Sequence, residues 1–185
     1  MLKRLLAFCL LALWACNPDK NTLVDPNVVH YQTTQQSMLF FKNMRGMYYD
    51  LDDNEATRLQ LFRFGDRPQE QTHPVLNVVL VNNWRHDQAY VLLEPNPALQ
   101  THLQDSLQVV WQDTLSQQAG RYVFENGNKD THYRFATQIY NSVLQKHRLG
   151  VLTQSGDTIP LLRTEEEREA FRITMMDYYR IVNVF

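Results

Sequence analysis

Beyond Cys16 this chain of 185 residues has no cysteine, its two cysteines being Cys9 and Cys16. That absence excludes a disulfide framework, a cysteine-ligated zinc or iron–sulfur site and a cysteine nucleophile from everything that follows. Other signatures are missing too. There is no glycine-rich phosphate loop or dinucleotide fingerprint, no Gly-x-Ser-x-Gly and no His-Glu-x-x-His, so nucleotide binding, elbow-type serine hydrolysis and helical zinc chemistry have no motif to stand on. The remaining histidines, His30, His73, His102, His132 and His147, read as scattered surface residues. Glycine is scarce, at six, and no apolar run reaches the length of about 20 residues that a membrane-spanning helix needs.

Positive charge is thin as well. Lys3 and Arg4 take two of the eighteen basic side chains, leaving sixteen against twenty acids in the rest. No Lys/Arg cluster forms a basic face, which argues against nucleic acid as a partner. What the chain does have is a distinctive start, MLKRLLAFCLLALWAC. Two cations precede a short uncharged apolar stretch, the plan of a removable export signal. Its end, Leu13-Trp14-Ala15-Cys16, resembles the lipobox of bacterial lipoproteins, with Trp14 larger than the residue usual at that place. The resemblance implies that residues 1–15 are a signal peptide and that Cys16 is acylated on its sulfur, giving a membrane attachment that needs more than one acyl chain to last. Asn17 after the cysteine resembles lipoproteins sent to the outer membrane, so the expected location is the bacterial cell envelope, at the outer rather than the inner membrane.

Residues 16–36 then read as the lipidated cysteine and a polar tether, and residues 37–185 as a single domain. The run Met38-Leu39-Phe40-Phe41 reads as a strand entering the core, and residues 57–64 as another. VLNVVLV at 75–81 is nearly all apolar and β-branched, which marks the centre of a sheet, with 89–93 returning as its hairpin partner before Pro95. Residues 98–107 read as a short helix, and 109–111 with 121–124 as a second hairpin. Phe135, Ala136, Ile139, Tyr140, Val143 and Leu144 fall on one helical face, with Asp130 or Thr131 as N-cap and Gly150 just past the end. Residues 151–153 and 158–162 pair around Ser155-Gly156-Asp157. Thr164 and Glu167 form a capping box opening a last helix striped with Phe171, Met175, Tyr178 and Val182. The expected fold is α+β, a largely antiparallel sheet of about six to eight strands with two amphipathic helices near 132–147 and 165–182.

Two constellations could carry function. The acidic run Asp50, Asp52, Asp53, Asn54 and Glu55 suggests a calcium loop, but Glu55 stands where an EF-hand needs glycine and Leu61 where it needs glutamate. It reads instead as a solvated turn capping a short helix at 54–58, and no metal is expected. Trp84, Arg85, His86 and Asp87, at the tip of the first hairpin, combine an aromatic, a fixed cation, an imidazole and a carboxylate, as a protein-contact loop would. The pairs Tyr48-Tyr49 and Tyr178-Tyr179 read as core packing rather than sugar platforms.

These readings converge on a non-enzymatic accessory or scaffold subunit of an outer-membrane or periplasmic complex. It would meet the membrane through the lipid on Cys16 and an envelope protein through residues 84–87, without cofactor or nucleotide. The alternatives are a lipoprotein that binds a small ligand or glycan, and a hydrolase with an unfamiliar site around His86, Asp87 and the run at 50–55.

Overall fold

The computed structural model describes residues 22–102, 106–125 and 127–185. The signal at 1–15 and Cys16 lie outside the described residues. In chain order the elements are α1 (Gln35–Met44), a 3-10 turn (Gly46–Tyr48), β1 (Tyr49–Asn54), β2 (Leu59–Phe64), β3 (Leu76–Asn83), β4 (Gln88–Pro95), α2 (Pro97–Gln100), β5 (Ser106–Gln112), β6 (Ala119–Glu125), α3 (Lys129–Leu144), β7 (Arg148–Leu152), β8 (Thr158–Leu161) and α4 (Glu165–Ile181). The fold is α+β: two four-stranded antiparallel sheets, ordered β1-β2-β3-β4 and β6-β5-β7-β8, with helices packed against them.

The apolar run at 75–81 does form an interior strand, and Val78, Val79, Leu80 and Val81 are buried whichever face they occupy. Its register with β4 pairs Leu80 with Val91 and Val78 with Leu93. The second hairpin, β5–β6, and the β7–β8 pair around Gly156 form as their alternation predicts. Helix α3 lies across β4 and β6, and α4 packs on α3, β3 and β4. Between them sit four fully buried tyrosines, Tyr133, Tyr140, Tyr178 and Tyr179. Their rings meet edge-on or tilted, as aromatic quadrupoles prefer, with Tyr140 and Tyr179 5.1 Å apart. The Tyr179 hydroxyl donates to Thr137 Oγ1 at 2.9 Å, and the Tyr133 and Tyr178 hydroxyls donate to the carbonyls of Val28 and His30. Burying a polar ring tip is costly without such partners.

Those carbonyl partners correct the expected tether. From Val24 to Thr33 the chain is strapped onto the domain: Val24 is 7% exposed and its amide and carbonyl are both held by the Asn141 side chain, at 3.1 and 2.8 Å. Farther along, Ala89 N–H donates to the Tyr31 carbonyl and Thr33 N–H to that of Asp87, so the strap ends against β4.

Residues 38–41 are helical, not a strand. Thr34 and Ser37 cap each other's backbone amides, and Met38, Phe41 and Arg45 face inward at helical spacing, whereas a strand would have turned alternate residues to the core. The acidic run is also corrected. It is the edge strand β1, in register with β2 from Tyr49↔Phe64 to Asn54↔Leu59, and the expected short helix at 54–58 is the turn between them, with Arg58 at φ 58°. Charged side chains on an edge strand discourage pairing with another chain. The helix expected at 98–107 is the single turn α2, started by the Asn96 side chain capping Leu99, and Leu107 belongs to β5. Helix α3 begins one turn early, because Asn128 Oδ1 takes the amides of Asp130 and Thr131. Gly150 does not end it; Lys146 at φ 59° does, and Gly150 lies within β7.

Candidate binding surfaces

The first surface grows from α1. Only Phe41 of this helix is fully buried, wedged edge-on between Tyr49 and Phe62 at 5.3 and 5.1 Å. The remaining surface of the helix and the turn after it expose Leu39, Phe40, Met44, Met47 and Tyr48; Leu39 is 61% and Met47 79% exposed. Leu51 of β1 lies on the same sheet face as Tyr49 and is exposed as well. A helix that carries large apolar side chains on more than its covered side leaves exposed apolar surface of the kind that marks an interaction site. No acid occurs between Pro26 and Tyr49, while Lys42 stands exposed among these residues.

Beside this face is the tip of the β3–β4 hairpin, where Trp84, Arg85, His86 and Asp87 are all exposed. A shallow cleft of about 250 Å³ joins the two, with Met38, Leu39 and Lys42 on one wall and Trp84 and Asp87 on the other. Arg58, from the β1–β2 turn, covers the Trp84 ring at 5.7 Å. The His86 ring is hydrogen-bonded to Asn83 Oδ1 at 3.0 Å rather than to Asp87. The acids of β1 are likewise engaged locally: Asp50 with Arg67, Asp52 with Arg63, and Asp53 with Gln60. Among the described residues no hydrogen bond or ion pair joins His86 or Asp87 to residues 50–55.

Under the apolar face lies a buried ion pair. Asp177, 3% exposed, accepts from Arg45 Nε and Nη2 at about 3.0 Å and from the Tyr49 hydroxyl at 2.7 Å. Burial and the neighbouring carboxylate push the Tyr49 phenol far above its usual range. Arg45 also stacks on Tyr48 at 4.8 Å, tying the turn after α1 to α4.

The histidines are less superficial than their scatter suggests. His147 is buried, bonded to Ser142 through Nδ1 and stacked on Trp111. His73 sits between Glu70 and Glu167, 3.2 and 2.9 Å away. His132 accepts the Leu93 amide, and burial lowers its pKa.

A second surface is a hollow of about 870 Å³ over the outer side of the second sheet. Register explains it. Arg121, Val110, Gly150 and Pro160 form one row across all four strands, and Ala119, Gln112 and Arg148 form the next. Their inward neighbours Val109, Leu149, Val151 and Leu161 are in the core, so these rows face out. Arg163 and Arg168, from the turn after β8 and the start of α4, close one end. Sequence reading missed this hollow, because Arg121, Arg148 and the Arg163–Arg168 segment lie far apart along the chain and come together only through the fold of the second sheet.

No family model, no curated protein and no solved structure matches this chain.

Proposed function

We propose that the chain is a bacterial envelope lipoprotein, held by acyl groups on Cys16, whose α+β domain serves as a non-enzymatic accessory or scaffold subunit docked on an envelope protein. The observation that carries this reading is the apolar face made by Leu39, Phe40, Met44, Met47, Tyr48 and Leu51, bordered by Trp84 at the hairpin tip. Large aromatic and methionine side chains presented together are what the centre of a protein interface is made of. The border carries both signs, Lys42, Arg58 and Arg85 standing beside Asp87 and the acids that flank Leu51. The fitting partner is an apolar protein surface. From Cys16 to Thr22 is six residues, a reach of at most about 20 Å, which would keep the strap and its domain close to the bilayer.

The test is mild detergent extraction of the epitope-tagged chain after crosslinking in cells, followed by identification of what comes with it. The proposal expects a stoichiometric envelope protein that is lost when Phe40 and Met47 are changed together to Ser. Recovery of the chain alone, at the same yield with and without crosslinker, would count against it.

A further inference from the structure

The hollow on the second sheet is a site in its own right, away from the docking face. Its floor is apolar and shallow in the middle: Val110 and Pro160 flank Gly150, where any β-carbon would strike the Thr158 methyl, and Leu162 is buried at one end. Its border carries four arginines, Arg121, Arg148, Arg163 and Arg168, and no Asp or Glu lines it. In a chain with more acids than bases this is an unusual gathering. Carboxylates are paired instead with arginines elsewhere, Arg45, Arg63, Arg67 and Arg172 among them. Among the described residues Arg121 is bonded to the neutral Gln108 and Arg168 to the His147 carbonyl at 3.1 Å, with Glu165 and Glu167 near enough to act on Arg168 but not bonded to it.

From this geometry we propose that the hollow binds a single-chain amphiphile with an anionic head group, the acyl chain lying along Val110, Gly150 and Pro160 and the head held by the arginines. The volume is that of a small-molecule site. Arginine forks match the oxygens of a carboxylate or phosphate in a bidentate way. A peptide strand fits less well: β5 and β7 are interior strands whose backbone groups are already paired on both sides, so the floor offers no ladder to extend.

The experiment uses the full chain purified in dodecyl maltoside, so that a neutral amphiphile is always in excess. Myristic acid carrying a diazirine in its chain is added, photolysed, and the adducts are mapped by peptide mass spectrometry. Adducts are expected on the strands of the second sheet, around residues 106–112 and 148–163. Laurate and dodecyl phosphate should compete, whereas inorganic phosphate should not. Arg121→Gln with Arg148→Gln, both exposed and free of core contacts, should cut this labelling at least fivefold with an unchanged circular dichroism spectrum. Lys42→Gln with Arg85→Gln, on the other surface, should leave it unaltered. Labelling that ignores the arginine substitutions, that concentrates on residues 35–51, or that a short polyglutamate peptide displaces as well as laurate does would overturn the assignment.

Discussion

Trp111 lies flat on His147, their ring centroids 4.7 Å apart and their planes 14° from parallel, and the same indole covers Gly120 on the neighbouring strand. A β-carbon at position 120 would come within 2.7 Å of the indole, so Gly120→Ala must displace Trp111 from His147. The expected cost is about 1–3 kcal/mol. Urea unfolding followed by tryptophan emission checks it, and an unchanged midpoint would refute the packing described.

Phe40 and Phe41 are adjacent in sequence and opposite in role. Phe41 is wedged between Tyr49 and Phe62, and Phe41→Ala should cost about 3–5 kcal/mol. Phe40 faces out, so Phe40→Ser should change stability by no more than about 0.5 kcal/mol. Paired thermal melts of the two variants measure the contrast.

The Arg45–Asp177 pair is asymmetric, because Asp177 is buried while Arg45 is partly exposed. Arg45→Ala removes the cation bonded to the buried carboxylate while the Tyr49 hydroxyl still donates to it, and should destabilise by about 3–5 kcal/mol. Asp177→Ala frees Arg45 to turn to water and should cost less. Denaturant midpoints of both variants give the order; the reverse order would show that the carboxylate is solvated after all.

His132 links stability to pH. Burial holds its folded-state pKa below the ordinary 6.5, and its Nδ1 must stay unprotonated to accept the Leu93 amide. As pH falls below about 6.5 the unfolded chain takes up a proton that the folded chain refuses, so stability should drop from neutral toward mildly acid pH. His132→Asn, whose amide oxygen can accept the same N–H, should flatten the slope between pH 7.5 and 5.5 in urea titrations. An equal slope in both proteins would mean that His132 does not carry it.

How much of this could be read from the sequence follows from where the information is local. VLNVVLV needs no partner to mark an interior strand, and Thr164 with Glu167 announces α4; Thr164 does accept the Glu167 amide, although the Glu167 carboxylate takes the Arg163 amide at 2.6 Å. YDLDDN, by contrast, contains no β-branched residue and becomes a strand only because LQLFRF offers it a ladder. Four apolar residues at 38–41 suit strand and helix alike, and the deciding Thr34–Ser37 cap lacks the usual Glu or Gln. The hairpin tip at 84–87 is legible in its turn chemistry, while the apolar face beside it combines residues 39 and 40, whose run suits a strand, with residues 44–51, which carry no local signal of exposure.

The proposed function requires α1 to present its apolar face to a protein partner, and a photoreactive amino acid placed in living cells tests that directly. Benzoylphenylalanine at position 40 or 47 should yield one discrete crosslinked envelope protein. The same residue at Leu115, 94% exposed at the β5–β6 turn, should yield none. Identical crosslinking from all three positions, or none from 40 and 47, would contradict it.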